Sequence, residues 1–291
     1  MKVTGFTFVR NAIRFDYPVV ESITSILSVC DEFVVAVGRS EDDTRELIRS
    51  IHSPKIRIID TIWDDAKREG GQVLAEETDK AFDAVSPDST WAFYIQADEV
   101  IHEQYLGVIR SSMERWKEDV RVEGLLFNYL HFYGSYDFVG DSRAWYRREV
   151  RVIRNDKAIR SYRDAQGFRK NGNKLKVVPI PAAVYHYGWV KPPSSQQAKQ
   201  ESFNRYWHDD QWMEKHIPRA ENFDYSGIDS LARFQEKHPL VMTDRIAHKN
   251  WQFSFDPAHK KLSRLNRILH YIEQKSGWRP GEYKNFEILS L

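Results

Sequence analysis

The chain has 291 residues, of which 41% are hydrophobic and 13% aromatic, enough for the core of one large α/β domain or two smaller ones. Its formal net charge of +1 gives no case for general binding to nucleic acids or membranes. The only cysteine, Cys30, excludes a disulfide framework and suits a reducing compartment. Because it ends an apolar helical pattern, we expect a buried structural thiol.

The distribution of apolar residues excludes two further classes. Residues 1–9 have no charged lead followed by a long apolar run, so we expect no signal peptide. No apolar window approaches the roughly 20 residues that a membrane-spanning helix needs. We therefore expect a cytoplasmic protein, and peripheral contact with a membrane stays open.

Strand and helix signals alternate over the first hundred residues. Apolar and β-branched runs predict strands at 3–9, 33–37, 56–59 and 91–95. Helical spacing follows Pro18, the capping pattern at residues 40–43, and Gly70-Gly71. Such repeated units predict an α/β fold, with a mainly parallel sheet and helices on both faces.

The pattern changes in the second half of the chain. We expect a helix over 103–118 and further strands at 124–130, 150–154 and 182–189. Pro192-Pro193 breaks the pattern, so we place a first domain at 1–193 and a mostly helical extension at 194–291. The extension contains an amphipathic stripe made by Leu262, Leu265, Ile268, Leu269 and Ile272.

The most informative segment is Trp91-Ala-Phe-Tyr-Ile-Gln-Ala-Asp-Glu99, a buried strand that leads into two acids. In open α/β sheets, ligands bind at the carboxyl ends of the strands, so Asp98 and Glu99 should face a crevice. The glycine-rich phosphate loops of NTPases and dinucleotide enzymes do not occur in the sequence, and neither does a hydrolase nucleophile elbow.

Five blocks in order carry a resemblance to a known family: Phe8-Val-Arg-Asn11, Glu21-Ser22, Asp31-Glu-Phe-Val-Val35, Ser40-Glu-Asp-Asp-Thr44 and Gln96-Ala-Asp-Glu99. Together they resemble family 2-type glycosyltransferases with a GT-A fold, over residues 3 to about 105 and more loosely to His186. The resemblance implies a nucleotide-sugar donor, a divalent cation, Mn²⁺ or Mg²⁺, on its diphosphate, and inversion at the anomeric carbon. A glycan, a lipid-linked sugar or another small molecule would be the acceptor.

The resemblance also implies a metal site. Asp98 matches the second acid of the family's motif and is the expected metal ligand, with His186 as a second ligand. The simpler alternatives are an acid that caps the next helix and a histidine that is satisfied within the core. Gln96 stands where the first motif acid would be, and it can coordinate only as a neutral amide.

Further residues are expected around the donor and acceptor. Arg10 and Asn11 should lie beside the base or ribose, and Asp64 should face the same crevice. Glu99 would orient a ligand or contact the sugar. Asp164 is the expected catalytic base; the alternative is an Asp-capped turn.

Residues 143–176 contain twelve Lys or Arg against three acids. Arg147 is expected to reach the diphosphate, since guanidinium groups suit phosphate oxygens. An anionic acceptor would also explain the stretch, and no nucleic acid is expected as a partner.

The sequence departs from the family in two places. Val37-Gly38 replaces the acid that holds the base or ribose, and Gln96 replaces a carboxylate. Two main interpretations therefore remain, beside a nucleotidyltransferase, which would need a glycine-rich phosphate loop where the sequence has Arg10-Asn11-Ala12. The first is a metal-assisted glycosyltransferase; the second is a catalytically silent nucleotide-sugar or glycan-binding protein on the same scaffold.

Overall fold

The computed structural model describes residues 1–217, 220–258 and 260–290. The strands are β1 (Val3–Val9), β2 (Glu32–Gly38), β3 (Ile56–Thr61), β4 (Trp91–Tyr94), β5 (Glu99–Ile101), β6 (Gly124–Tyr133), β7 (Ser135–Gly140), β8 (Arg148–Arg154), β9 (Ile159–Tyr162), β10 (Gly167–Lys170), β11 (Asn173–Lys174), β12 (Lys176–Trp189), β13 (Leu231–Arg233) and β14 (Glu287–Ile288). The helices are α1 (Val19–Ile26), α2 (Thr44–Arg49), α3 (Gln72–Asp83), α4 (Leu106–Trp116), α5 (Pro193–Asn204), α6 (Asp210–His216), α7 (Thr243–Ala247) and α8 (Arg264–Ser276).

One half of the main sheet is parallel, in the order β3-β2-β1-β4. β1, β2 and β4 are largely buried because both of their faces are covered. The edge strand β3 carries the exposed residues Arg57 and Asp60. Successive residues of β2 point to opposite faces: Phe33, Val35 and Val37 join the core beneath α1 and α4, whereas Val34 and Ala36 join the core beneath α3. The α/β fold class predicted from the sequence is therefore confirmed.

Beyond β4 the sheet is mixed. β8 pairs antiparallel with β4, and β6 pairs antiparallel with β8. β12 runs parallel to β6 along its other side and carries the short strand β5. β9, β10 and β11 form a separate three-stranded sheet. The mainly parallel sheet predicted from the sequence is thus confirmed: its first four strands run parallel, as do β6 and β12, and the antiparallel pairs are added around them.

The C-terminal part contributes both helices and strands. It contains α5 to α8, but β13 pairs with β7 and β14 pairs with β12, so this part also extends the main sheet. Helices are present as expected, but "mostly helical" describes this part incompletely. The predicted boundary at residue 193 stays a prediction. No helix among the described residues has the length and apolarity needed to cross a membrane.

A buried ion pair fixes the turn between β4 and β5. Arg151 of β8 donates from Nε and Nη2 to the two carboxylate oxygens of Glu99, at 2.8 and 2.7 Å. The two side chains are only 1% and 0% exposed. Glu99 also accepts hydrogen bonds from the Tyr129 hydroxyl and from the backbone N–H of Gln96. The turn that carries Asp98 is thereby held against β6 and β8.

We expect Arg151→Leu to lower the free energy of unfolding by about 3–5 kcal/mol, because it leaves the Glu99 carboxylate buried without its cation. Urea denaturation measures the change. The matched control is Arg45→Leu, which removes a pair with Asp60 in which both side chains are exposed, 37% and 64%. The control should have a much smaller effect. Equal losses in the two variants would contradict a structural role for the buried pair.

Candidate functional site

A cavity of about 530 Å³ lies at the carboxyl ends of β1 and β4 and is covered by α5. Open α/β sheets bind ligands at this place, and the volume is typical of a small-molecule site. Phe8 to Arg10 and Gln96 to Asp98 line it from the sheet side, and Lys199 and Phe203 line it from α5. The position predicted for a binding crevice therefore contains one.

Three charged or polar side chains meet at one wall of this cavity. The ammonium group of Lys199 donates to Oδ2 of Asp98 at 3.0 Å and to the Gly188 carbonyl at 3.1 Å. Nε2 of His186 lies 3.7 Å from Oδ1 of Asp98. Burial alone would raise the pKa of Asp98, but the ammonium group of Lys199 outweighs it and holds this pKa well below its usual value. Asp98 is therefore ionised.

The hydrogen bonds of a second histidine define the tautomer of His186. Nε2 of His131 lies 2.8 Å from the Tyr146 carbonyl oxygen, so it must carry the proton. Burial holds the pKa of His131 well below its usual value, which leaves its Nδ1 as an acceptor. Nδ1 of His186 lies 3.1 Å away and therefore donates. Nε2 of His186 keeps its lone pair and faces Asp98.

Gly188 leaves space open beside Nε2 of His186 and the carboxylate of Asp98. A Cβ atom on this residue would lie 2.6 Å from Nε2 of His186 and 2.8 Å from Oδ2 of Asp98. Asp98 and His186 thus offer one oxygen and one nitrogen ligand, with a second partner fixing the imidazole as in many metal sites. Among the described residues, no group of three or more His, Cys, Asp or Glu could hold a metal ion. The pair fits a cation whose other ligands are water and substrate phosphate.

Gln96 links the turn after β4 to the hairpin loop between β9 and β10. Its amide nitrogen donates to the Ala165 carbonyl at 3.1 Å and to the Tyr94 hydroxyl at 3.3 Å. Nη1 of Arg151 donates to the Gln166 carbonyl at 2.9 Å. An ionised carboxylate at position 96 could only accept, and it would face the Ala165 carbonyl oxygen. The amide is therefore suited to this contact.

The same hairpin loop, between β9 and β10, carries Asp164 into the cavity wall. Its neighbours Arg163 and Ala165 have left-handed backbones, with φ of 56° and 62°. Burial raises the pKa of Asp164, and hydrogen bonds from backbone N–H groups oppose the shift only partly. A carboxylate with a raised pKa is a better proton acceptor than an exposed one.

One end of the cavity is aromatic. The ring of Trp63 lies 5.7 Å from that of Phe8 and 5.6 Å from that of Tyr206, centroid to centroid. The guanidinium group of Arg10 lies 5.5 Å from the Trp63 ring. A Cβ atom on Gly38 would come within 2.3 Å of Nε1 of Trp63. The glycine at the end of β2, where the family carries an acid, thus makes room for an indole ring.

The structure brings five of the predicted site residues into one cavity. They are Arg10, Gln96, Asp98, Asp164 and His186. These residues come from segments far apart in sequence, and their convergence is a result of the sheet order. Their functional roles stay predictions.

Two predicted donor-binding residues do not line the cavity. The Asn11 side chain accepts from the backbone N–H of Glu41 at 2.8 Å and so ties two loops together. Asp64 is exposed and accepts from the backbone N–H of Ala66 at 3.1 Å, within its own loop. The acid of this loop that contacts Arg10 is the next residue, Asp65.

The donor-binding roles predicted for Glu99 and Arg147 are also corrected, because neither residue lines the cavity. Glu99 is buried on Arg151 and does not reach the cavity, because its side chain leaves the strand on the inner face. Arg147 pairs through Nε and Nη2 with Glu282, both at 2.9 Å. It fastens the C-terminal segment and does not line the cavity. Cys30 is buried as expected, and burial raises the pKa of its thiol to about 12.

Two cavity residues, Lys199 and Tyr206, were not predicted from the sequence, whereas the segment Trp63-Asp64-Asp65 was expected at the crevice. Lys199 and Phe203 are four residues apart, so they share one face of α5, and that spacing was visible in the sequence. What the sequence did not show was that this face covers the carboxyl ends of β1 and β4. Trp63 lies next to the predicted Asp64 but points to Gly38, a contact that only the folded sheet creates.

The sequence matches no protein-family model and no curated protein. Solved structures to which the chain is similar include TarS 1-349 from S. aureus in complex with UDP, at 12% identity and a TM-score of 0.39 over 70% of this chain and 64% of that one. Glucosyl-3-phosphoglycerate synthase from Mycobacterium tuberculosis, with Mn²⁺, UDP and phosphoglyceric acid, aligns at 14% identity and a TM-score of 0.30 over 45% of this chain and 43% of that one.

A third similar structure is 4-diphosphocytidyl-2C-methyl-D-erythritol synthase from Anaerococcus prevotii. It aligns at 11% identity and a TM-score of 0.32 over 53% of this chain and 71% of that one. The chain thus covers less than two thirds of TarS 1-349 and less than half of the mycobacterial enzyme. Similarity of this extent assigns neither an activity nor a ligand to this chain.

We expect Lys199→Met to lower the free energy of unfolding at pH 7 by about 1–3 kcal/mol, because the buried Asp98 carboxylate loses its nearest donor. The folded-state pKa of Asp98 is depressed, so its ionic contribution is present above the unfolded pKa and is lost as the pH falls through the folded value. The difference between wild type and variant should therefore shrink toward pH 3. Urea denaturation at several pH values, with chelator present, measures it.

Lys67→Met is the control, because it removes an ion pair with Glu76 in which both side chains are 42% exposed. Its effect should be small at every pH. A Lys199→Met difference that stayed constant from pH 7 to pH 3 would show that packing, and not charge, is lost.

Proposed function

We propose that this protein is a glycosyltransferase that moves a sugar from a nucleotide-sugar donor to an acceptor hydroxyl. The observation that carries the proposal is one cavity with three chemically distinct parts. It has an aromatic end at Trp63, a charged wall at Asp98 and Lys199, and a half-buried carboxylate at Asp164. A nucleotide sugar presents a flat base, a charged diphosphate and a reacting carbon, and each needs one of these environments.

The aromatic end suits the base and the charged wall suits the diphosphate. Phe8, Trp63 and Tyr206 could stack against the base through their ring faces. Such stacking would not need the acid that the family carries at the end of the second strand, where this chain has Gly38. Lys199 lines the cavity, donates to Oδ2 of Asp98, and would place a positive charge near the phosphate oxygens. These features support binding of a nucleoside diphosphate without naming its base.

Asp98 and His186 would hold a divalent cation, Mn²⁺ or Mg²⁺, through Oδ1 and Nε2. Such an ion, when bound, acts as a Lewis acid on the diphosphate that leaves. Lys199 lies on the other oxygen of the same carboxylate and adds a positive charge for the leaving group. His131 keeps the His186 lone pair directed at the site.

Asp164 would take the proton from the acceptor hydroxyl as the bond to the anomeric carbon forms. A base that acts on the face opposite the leaving group gives a single displacement, and therefore inversion. Residues 1–193 would form the donor and acceptor domain, and residues 194–291 an extension whose α5 covers the cleft. A glycan, a lipid-linked sugar or another small molecule remains the proposed acceptor, in the cytoplasm, with no nucleic acid involved.

One observation favours a second candidate, a protein that binds the donor without transferring its sugar. The motif's first acid is replaced by Gln96, whose amide is engaged by Ala165 and Tyr94. The remaining motif acid, Asp98, already has an ammonium partner. Binding and transfer therefore have to be measured separately.

We expect one member of a panel of nucleotide sugars to raise the melting temperature in the presence of Mn²⁺ and to be hydrolysed slowly. Asp98→Asn should lose the Mn²⁺-dependent part of that binding, by about tenfold or more, because an amide is a weak ligand for a hard cation. Calorimetric titration with and without chelator measures this part.

Asp64→Asn is the matched control, since it also removes an acid at a strand end but one that does not line the cavity. It should bind as the wild type does. Stabilisation by a donor with no hydrolysis or transfer would favour the silent binding protein, and no response to any donor would refute both candidates.

We expect Asp164→Asn to leave donor binding within about twofold and to lower transfer by 10²-fold or more, because the amide cannot accept the proton. In the wild type, the acid side of the pH–rate profile should fall at a higher pH than an ordinary aspartate would give, since burial raises the pKa of Asp164. Steady-state kinetics against pH measure both. A variant that transfers at the parent rate would exclude Asp164 as the base.

A further inference from the structure

The helix α8 lies on the protein with its apolar side facing outward. Leu265, Ile268 and Tyr271 on this helix are 65%, 59% and 62% exposed. They are spaced by three residues, so they lie along one side of the helix. An amphipathic helix of a globular protein normally buries such a stripe.

The opposite side of α8 is polar and faces the protein. Oε2 of Glu273 lies 3.2 Å from Arg143 Nη1 and 3.4 Å from Arg279 Nε, and Oε1 lies 3.4 Å from Arg147 Nη1. His270, one turn before Glu273, is buried against the same surface. Ion pairs therefore fasten the inner side of the helix. Leu269 and Ile272 are half-buried, whereas Leu265, Ile268 and Tyr271 stay exposed.

Cations surround the exposed apolar side. Residues 260–284 contain seven Lys or Arg and two acids, Glu273 and Glu282. Both acids pair with Arg147. Arg264, Arg267 and Lys275 are all exposed on α8. The outer surface of this segment is thus both apolar and positively charged.

Two aromatic residues extend the surface beyond the end of the helix. Trp278 is 65% exposed and Tyr283 is 69% exposed. Tryptophan and tyrosine are favoured at the boundary between lipid headgroups and acyl chains, because their rings are apolar with one polar group. Together with Leu265 and Ile268 they form what we call the α8 surface.

We propose that the α8 surface docks this protein onto an anionic lipid bilayer. Leu265, Ile268 and Trp278 would enter the boundary between headgroups and acyl chains, and Arg264, Arg267 and Lys275 would meet lipid phosphates. A second copy of the chain fits less well, because pairing two α8 surfaces brings like charges together. The inference does not depend on the proposed enzymatic activity.

Sedimentation of the full chain with lipid vesicles tests this. Vesicles of phosphatidylcholine with phosphatidylglycerol should bind the protein, and vesicles of phosphatidylcholine alone should bind it much more weakly. Binding should fall as salt is raised, since part of the attraction is electrostatic. The double substitution Leu265→Ser and Ile268→Ser should lower binding to the anionic vesicles by about tenfold or more, because burial of these side chains drives insertion.

The matched control is Ile62→Ser with Val120→Ser, which removes two side chains that are 75% and 79% exposed outside the α8 surface. Its vesicle binding should equal that of the wild type. Trp278 gives a direct readout: vesicles should shift the fluorescence of the wild type to shorter wavelength, and Trp278→Phe should lose that component. Circular dichroism shows that each variant is folded, and Ile268→Ser alone replaces the double variant if the latter is not.

Three results would overturn the inference. One is a wild type that does not sediment with anionic vesicles; another is equal binding by the α8 double variant and the control. The third is a wild-type dimer in analytical ultracentrifugation that the α8 double variant dissociates while vesicle binding is unchanged. That result would assign the surface to a second copy of the chain.

Discussion

The buried ion pair between Glu99 and Arg151 holds the parts of the candidate site together. Neither side chain reaches solvent, so each charge depends on the other and on the hydrogen bonds around it. Through Glu99 the pair holds the turn after β4, and through the Gln166 carbonyl it holds the hairpin loop of β9 and β10. The first contact positions Asp98, and the second positions Asp164. The two acids with proposed chemical roles are thus positioned by a third acid that has none.

That arrangement explains why an amide at position 96 is compatible with a site. Gln96 donates to the Ala165 carbonyl, and a second carboxylate there would place a negative charge beside that oxygen and near Glu99. Removing one acid lowers the negative charge available to a cation, and Lys199 lowers it further by pairing with Asp98. A site with less negative charge leaves more of the work of binding a diphosphate to fixed positive groups. Under the proposed function, a metal ion and the Lys199 ammonium group would share the Asp98 carboxylate, each on its own oxygen.

The sequence could predict what depends on local pattern. Alternating strand and helix signals predicted the first four strands, and the carboxyl-end rule placed Asp98 beside a crevice, which the structure has. It could not separate Glu99 from Asp98, because adjacent residues differ in function only through their partners, and Arg151 lies 52 positions away. The same holds for two basic residues. Arg147 pairs with Glu282, and Lys199 reaches Asp98, which lies 101 positions away in sequence. Long-range pairing decides which charged residues remain available to a ligand.

The same pairing accounts for the basic stretch that the sequence could not explain. Arg143 pairs with Glu273, and Arg147 pairs with Glu282. These two arginines therefore attach the C-terminal segment to the rest of the fold and contribute little to an anion site. Glu273, the one acid of α8, fastens this helix, and Leu265 and Ile268 are left on the outside. A helix fastened by apolar contacts would have buried Leu265 and Ile268 instead. The apolar, cationic surface is thus a consequence of which acids the nearby arginines pair with. Arg151 pairs with Glu99 beneath the cavity, whereas Arg143 and Arg147 pair with Glu273 of α8.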